Sequence, residues 1–252
     1  MITFVLVHGG GVTGRYWDRL VPHLRHPALA VDLPGRAGKD ADPMTLTVDD
    51  CVASVVDDVR AAQLDDVVLV AHSSGGLFAP GIATALGDQV RAVVLDAANV
   101  TPEGGTGLDA MKASHRDRVI ETMTAARRDG WVLRTPGPEP ADKVRGAYGG
   151  DDLDDDQIEF VTDPARCVRD SMNFYFQPVS WATVPDIPVT YVRHSRDRPT
   201  PPALQDANIE RLGRPVRIVE LDCGHIPAVT NPVELAALLD EAADAVEPDP
   251  RA

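Results

Sequence analysis

The sequence is poor in cysteine and in long apolar runs, and each shortage excludes a class of protein. Its 252 residues include only Cys51, Cys167 and Cys223, with no C-x-x-C spacing, and an odd, scattered set does not indicate a disulfide framework. No stretch reaches the roughly 18 consecutive apolar residues of a transmembrane helix. The chain also lacks a basic, apolar leader, so we expect no signal peptide and a cytoplasmic protein.

Basic residues are also scarce, because 24 Lys and Arg face 39 Asp and Glu, giving a net charge of −15. Nucleic acids and anionic membranes need clustered cations, so neither is expected as a partner. The same excess of acid disfavours an anionic substrate, although only weakly, since surface charge says little about a closed pocket. A content of 44% hydrophobic and 25% charged residues suits a soluble globular protein with a sizeable core. The oligomeric state is left open.

Short runs rich in Val, Leu and Ile alternate with helical segments along most of the chain. The apolar runs are continuous, which is typical of parallel strands buried on both faces. Helical spacing of apolar residues covers 47–63 and 231–246, with Asn231 as N-cap and Pro232 in the first turn. These patterns predict an α/β fold, with a mostly parallel sheet of about six strands flanked by helices. The predicted strands are residues 3–7, 28–32, 67–71, 91–96, 188–193 and 216–221.

The alternation stops between residues 101 and 186, which contain no convincing strand. Helical patterns occur near 108–129 and 164–176, and more than half of the aromatic residues lie in this stretch. We interpret 101–186 as a helical cap inserted after the fourth strand of a core formed by 1–100 and 187–252. Its aromatic side chains either line an apolar pocket or form the core of the cap. The candidate pocket residues are Trp131, Phe174, Trp181 and, outside the cap, Ile226.

The stretch VVLVAHSSGG, residues 67–76, predicts a buried strand, a sharp turn and a helix. This is the setting of the G-x-S-x-G motif, here with Ala71 in the first glycine position, and it raises the hydroxyl of Ser73 at the carboxyl edge of the sheet. We therefore take Ser73 as the candidate nucleophile. The alternative is a serine N-cap followed by glycines that allow close packing. Pro80 follows within the expected helix, so we expect a kink or an early break there.

A serine hydroxyl needs a base, and His225 is the candidate. It lies in CGHIPAVTNPVELA, just after the last predicted strand, and therefore at the same sheet edge as Ser73. The remaining histidines are interpreted as structural, packing or surface residues: His8, His72, His23, His26, His115 and His194.

The base in turn needs an orienting carboxylate, and two aspartates follow strands at the same edge. Asp197 lies in HSRDRPTP after the fifth predicted strand, and Asp96 ends the fourth. Asp197 is favoured because it lies in a loop, where a carboxylate can reach an imidazole. Asp96 remains an alternative that could share or replace this role.

The opening stretch VLVHGGGVTG has two interpretations. Gly9, Gly11 and Gly14 fit G-x-G-x-x-G, and Asp32 ends the next strand, as in a dinucleotide-binding unit. A His-Gly-Gly turn after the first strand also builds an oxyanion hole in serine hydrolases. No tyrosine is followed by the x-x-x-Lys of a short-chain dehydrogenase, so an NAD(P)-dependent oxidoreductase is the remote alternative.

Five segments occur in one order: HGGG, DLPGRAGKD, AHSSGG, HSRDRPTP and CGHIPAVTNPVELA. In this order they resemble the α/β-hydrolase superfamily, particularly its small cofactor-free branch of plant-type esterases and hydroxynitrile lyases. The resemblance implies a nucleophile, Ser73, a base, His225, and an acid, Asp197. It also implies an oxyanion hole formed by the backbone N–H groups of Gly10 and Ser74, with no metal or cofactor.

Departures from the family pattern narrow the chemistry. Hydroxynitrile lyases carry a threonine after the first-loop histidine and a lysine shortly before the catalytic one. Here Gly9 and the run 220–224, which has no lysine, occupy those places. Ser73 also argues against dehalogenases and epoxide hydrolases, which use an aspartate nucleophile. We therefore predict a serine hydrolase that cleaves a small to medium hydrophobic ester or lactone. The alternatives on the same triad are a lyase, cofactor-free C–C bond chemistry and a ligand-binding protein.

Overall fold

The computed structural model describes residues 1–130, 141–148, 153–168 and 170–247. Its centre is a six-stranded sheet in the order β2-β1-β3-β4-β5-β6, in which every neighbouring pair is parallel. Each predicted strand is confirmed to within one residue at either end. The strands are β1 Thr3–Val7, β2 Ala28–Val31, β3 Val67–His72, β4 Val90–Asp96, β5 Val189–His194 and β6 Arg217–Leu221.

Helices cover both faces of the sheet, so its central strands β1, β3 and β4 are buried over nearly their whole length. Side chains alternate between faces along a strand. Val5 packs with the helices Val48–Ala61 and Ala79–Leu86 on one face, and Phe4 packs with the helix Pro232–Asp244 on the other. No helix within the described ranges is long and apolar enough to cross a membrane. The helices are α1 Val48–Ala61, α2 Ala79–Leu86, α3 Ala113–Asp129, α4 Ala141–Tyr148, α5 Asp155–Thr162, α6 Pro202–Arg211, α7 Pro227–Thr230 and α8 Pro232–Asp244.

The stretch between β4 and β5, called the cap below, contains α3, α4 and α5. The helix predicted near 108–129 is confirmed as α3, which begins at Ala113, but the second predicted helix is not found. The expected helix at 164–176 is wrong: Cys167 forms an isolated β-bridge with Val12, and only the last four of those residues form a 3₁₀ turn. The helix lies earlier, because Asp154 and Gln157 form a capping box at the start of α5. Pro164 then disfavours helical geometry at the residue before it.

The serine-bearing turn leads into the sheet-flanking α2 through a break at the predicted place. A short 3₁₀ segment, Ser73–Leu77, ends at Phe78, and α2 begins at Ala79. Pro80 thus lies in the first turn of α2, where its missing N–H costs nothing.

Candidate active site

Ser73 lies on a sharp turn between β3 and the following 3₁₀ segment. Its φ is +51°, a left-handed conformation that costs a non-glycine residue about 1–3 kcal/mol. Crowding enforces this turn: a Cβ on Gly75 would lie 2.9 Å from the carbonyl oxygens of Val7 and His8, and one on Gly76 would lie 2.5 Å from that of Asn99. The strain therefore holds the hydroxyl out at the carboxyl edge of the sheet.

The predicted nucleophile, base and acid lie in one hydrogen-bonded line. The Oγ of Ser73 is 2.9 Å from Nε2 of His225, and Nδ1 of His225 is 2.6 Å from Oδ2 of Asp197. With the Nδ1 proton donated to the carboxylate, Nε2 is left free to accept the serine proton. The arrangement is that of a general base, oriented by a buried carboxylate, beside an alcohol.

The loop after β5 fixes Asp197. Its Oδ1 accepts the backbone N–H of Thr200 at 2.8 Å, and its side chain is fully buried. Burial alone would raise the pKa of this carboxyl, but His225, His194 and the Thr200 N–H hold it well below its usual range. Asp197 is therefore an anion that stabilises positive charge on His225.

Asp96, the alternative acid, bonds a different histidine. Its Oδ1 is 2.7 Å from Nε2 of His194, whose Nδ1 lies 3.6 Å from Oδ2 of Asp197. The three side chains are fully buried. Burial lowers the pKa of His194, but the two carboxylates outweigh it and raise that pKa to about 9. A buried imidazolium thus lies between the two aspartates, a role that the sequence reasoning missed when it placed His194 among packing or surface residues.

The loop after β1 is tied to the end of the cap by a buried ion pair. Arg36 pairs with Asp170 and donates to the carbonyl of Val12 at 2.6 Å, and Asp170 also accepts the N–H of Gly11 at 3.0 Å. The N–H of Gly11 is therefore occupied. Gly10 is exposed to the cavity instead, and a Cβ added to it would lie 3.3 Å from the Oγ of Ser74. This neighbourhood favours Gly10 over Gly11 as an oxyanion donor.

Two residues of the dinucleotide-binding pattern, Gly14 and Asp32, are hydrogen-bonded to each other. Gly14 donates its N–H to Oδ1 of Asp32 at 2.7 Å, and a Cβ there would lie 2.9 Å from the carbonyl oxygen of Val31. Gly14 and Asp32 thus fasten the first loop to β2, and this local pairing accounts for their match to a dinucleotide fingerprint.

Two buried histidines beside the site are neutral. Burial lowers the pKa of His8 to about 3 and that of His72 to about 4. His8 donates from Nδ1 to the carbonyl of Gly9 at 2.7 Å, and His72 donates from Nε2 to the carbonyl of His225 at 2.8 Å. Both therefore position site backbone, as the sequence reasoning expected of structural residues.

The site opens into a cavity of about 650 Å³ between the sheet edge and the cap. Ile226 lines it, but Phe174 and Trp181 do not. Phe174 packs edge-on against Phe78 with ring centroids 5.2 Å apart, and Trp181 is buried in the same apolar cluster. These two aromatic residues therefore form core and not pocket.

Trp131 lies outside the described residues. The aromatic walls that the structure does show belong to other residues, namely Tyr16, Tyr148 and Tyr175. Their spacing in the sequence gives no periodic signal by which they could have been found.

Within the described ranges, the buried side chains that could hold a metal ion are those of His194, Asp197 and His225, whose ligand atoms lie within 4.8 Å of one another. The atoms of His225 and Asp197 are already joined by the 2.6 Å hydrogen bond. A metal ion there would replace the bond that orients His225 toward Ser73, so the cluster fits proton transfer better than metal binding.

Comparison with known proteins gives a consistent result. The model of the alpha/beta hydrolase family matches residues 4–238. Lipase LipV of Mycobacterium tuberculosis is 30% identical over 92% of this chain and 90% of its own length. A carbendazim hydrolyzing esterase of a Nocardioides species is 33% identical over 44% of this chain and 47% of its own length. An extracellular alpha/beta-hydrolase from a Paenibacillus species has a similar fold, with a TM-score of 0.80, 21% identity and coverage of 96% of this chain and 99% of that one.

Proposed function

The chain belongs to the alpha/beta hydrolase family and is a carboxylesterase-like hydrolase, and from this premise we propose that it cleaves small to medium hydrophobic esters or lactones through an acyl-enzyme on Ser73. One observation carries the proposal: the hydrogen-bonded line from Ser73 through His225 to Asp197 ends at a cavity. A named lipase and a named esterase among the relatives support ester hydrolysis in general.

The proposed reaction begins with attack of the Ser73 Oγ on the ester carbonyl carbon. The serine proton passes to Nε2 of His225, and Asp197 stabilises the resulting imidazolium. The bond between the carbonyl carbon and the alcohol oxygen then breaks, and His225 gives its proton to the leaving alcohol. A water molecule, deprotonated by His225, then attacks the acyl carbon; the bond from that carbon to the Ser73 Oγ breaks, His225 returns its proton to Oγ, and the acid is released. No metal ion or cofactor takes part in these steps.

Two backbone donors are proposed for the oxyanion. Ser74 directly follows the nucleophile in the first turn of the 3₁₀ segment Ser73–Leu77. Gly10 lies beside it, since a Cβ on Gly10 would be 3.3 Å from the Oγ of Ser74. N–H groups at the start of a helical turn carry partial positive charge, which stabilises the oxygen as its charge develops. The loss of one such donor typically lowers kcat by about 10²–10³-fold.

The size and lining of the cavity set the substrate class. A cavity of about 650 Å³ is in the range of sites that take small organic molecules. Apolar walls come from the core and from the cap, and the side chains that form them are Val12, Met111, Val119, Val168, Met172, Leu204 and Ile226. These walls support a hydrophobic ester over a strongly polar one.

Active-site labelling tests the proposal. A fluorophosphonate should form an adduct on Ser73, located by mass spectrometry, and Ser73→Ala should lower kcat for short-chain aryl esters by at least about 10⁴-fold. Ser114→Ala, which removes an exposed serine of α3, is the matched control and should keep both labelling and activity. Labelling at another residue, or esterase activity that survives Ser73→Ala, would refute the mechanism and leave non-hydrolytic chemistry as the alternative.

A further inference from the structure

Among the described residues, the cap wall of the cavity carries three basic side chains, although the chain as a whole carries −15. Lys112 precedes α3, Arg118 lies on α3 and Lys143 lies on α4, and all three line the cavity. Among the described residues that line it, Asp170 is the one carboxylate. Asp170 is already paired with Arg36. Its carboxylate therefore does not neutralise Lys112 or Arg118.

Arg118 is available for a ligand. Over the parts of the chain that the structure describes, its guanidinium has no hydrogen-bond or ion-pair partner. Lys112 donates one hydrogen bond, to the carbonyl of Arg198 at 2.8 Å, which holds it near the loop of Asp197 and leaves two N–H donors. Arg118 is exposed and Lys112 half-buried, so these cations lie at the solvent end of the cavity while Ser73 lies at its floor.

The pKa of a neighbouring histidine reflects the positive charges of this wall. His115 lies on α3 between the two cations and also lines the cavity. Burial lowers its pKa first, and the charges of Arg118 and Lys112 lower it further, to about 4. His115 is therefore neutral near pH 7, and the positive charge of this wall belongs to Arg118 and Lys112.

We propose that the substrate is an ester that carries a carboxylate, which Arg118 and Lys112 bind at the mouth of the cavity while the ester group lies at Ser73. The inference rests on the proposed function and deepens it by naming the substrate class. Charges are screened over about 8 Å at physiological ionic strength, so a bound carboxylate senses the charges at the mouth of the cavity more than the net charge of the whole chain. The net charge of the chain is therefore a misleading guide to the substrate.

The test compares anionic esters with neutral isosteres. On the acyl side, para-nitrophenyl hydrogen glutarate is compared with para-nitrophenyl glutaramate; on the alcohol side, para-carboxyphenyl butyrate is compared with para-carbamoylphenyl butyrate. The readout is the ratio of kcat/KM for the anionic ester to that for its neutral partner, so a general loss of activity cancels. The wild-type ratio should exceed one in at least one arm. Arg118→Gln should lower that ratio about threefold to tenfold, the range expected for an ion pair near the surface.

Matched variants on α3 separate this role from a general charge effect. Arg116→Gln removes the same charge two residues away, outside the cavity lining, and should keep the wild-type ratio. Arg118→Lys, which retains the charge, should recover most of it, and Lys112→Gln should lower it as Arg118→Gln does. A ratio that Arg118→Gln leaves unchanged in both arms, or that Arg116→Gln lowers equally, would overturn the inference while ester hydrolysis itself still stands.

A binding measurement separates this inference from the proposed function. In the Ser73→Ala background, calorimetry should give a lower Kd for para-nitrophenyl hydrogen glutarate or para-carboxyphenyl butyrate than for the neutral isostere, and Arg118→Gln should reduce the difference. If neither ester is hydrolysed by the wild-type protein but this preference holds, the proposed function fails and the anion site stands. Equal Kd values for charged and neutral ligands in both arms would refute the anion site.

Discussion

The two halves of the cavity differ in what determines them. Its floor is formed by Ser73 and His225 and is supported from below by buried side chains that follow the parallel strands, such as Asp197 after β5. Its cap wall consists of helical residues such as Lys112 and Arg118. The floor is fixed by buried hydrogen bonds and strained turns, whereas the cap contributes shape and charge. We therefore expect the chemistry to depend on the floor and the choice of substrate to depend on the cap.

The largest expected effect is on kcat, when the two candidate acids, Asp197 and Asp96, are replaced one at a time. Asp197→Asn should lower kcat about 10³–10⁴-fold, because an amide cannot hold His225 in the required tautomer or stabilise its charged form. Asp96→Asn removes a carboxylate that bonds His194 and not His225, so its loss of kcat should be at least tenfold smaller. Steady-state kinetics on one aryl ester measure both. Loss of activity only in Asp96→Asn would assign the acid to β4.

This contrast also explains how much of the site the sequence could predict. Ser73, His225 and Asp197 each follow a strand with a distinct turn, and parallel strands deliver their ends to one edge, so local patterns were enough to bring them together. The candidate pocket aromatics Phe174 and Trp181 had no such signal. An aromatic residue in an irregular segment is equally compatible with a cavity wall and with the core. Only tertiary contacts, such as the packing of Phe174 against Phe78, distinguish the two.

One further feature could have been predicted from the sequence, whereas two others depend on contacts between distant residues. The Asp154 to Gln157 capping box was present in the sequence and, had it been used, would have placed α5 correctly. The pairing of Arg36 with Asp170 joins residues 134 positions apart; Arg36 lies in the DLPGRAGKD segment, but no pattern in the sequence marks Asp170 as its partner. His194 looked like a packing residue because its charge is set by two carboxylates that arrive from different strands.

The next largest effect is expected where the floor meets the cap. Arg36→Gln should leave Asp170 as a buried carboxylate without its cation and lower the free energy of unfolding by about 3–5 kcal/mol. Since Arg36 and Asp170 also hold the backbone of Gly11 and Val12, kcat should fall about 10–100-fold as the oxyanion loop shifts. Urea unfolding and steady-state kinetics measure the two changes.

The double variant Arg36→Gln/Asp170→Asn is the matched control for this ion pair. It removes both charges together, so it should recover much of the stability that Arg36→Gln loses. It should recover less of the activity, because the amide that replaces the carboxylate of Asp170 is a weaker acceptor for the Gly11 N–H. If Arg36→Gln changes neither stability nor kcat, the ion pair does not hold the loop, and floor and cap are independent.

The smallest effect compares one histidine from each half, His194 of the floor and His115 of the cap. The pKa of His194 is raised to about 9 by Asp96 and Asp197, whereas that of His115 is lowered to about 4 by burial and by nearby cations. The unfolded chain titrates both near 6.5. His194 therefore stabilises the fold fully below pH 6.5, and this contribution is lost as the pH rises through about 9. His115 acts in the opposite sense, since the stability it permits is lost as the pH falls from 6.5 toward 4.

Two measurements check these directions. NMR titration of the imidazole signals should give a midpoint near 9 for His194 and near 4 for His115. The free energy of unfolding of the wild type should exceed that of Asp96→Asn/His194→Gln by an amount that shrinks by roughly 2–3 kcal/mol between pH 6.5 and 9; the double variant removes the pair together, so no carboxylate of Asp96 is left unpaired. A His194 midpoint at or below 6.5, with a difference that stays constant over this range, would mean that His194 is neutral. The two aspartates would then be joined by a neutral imidazole and not by a cation.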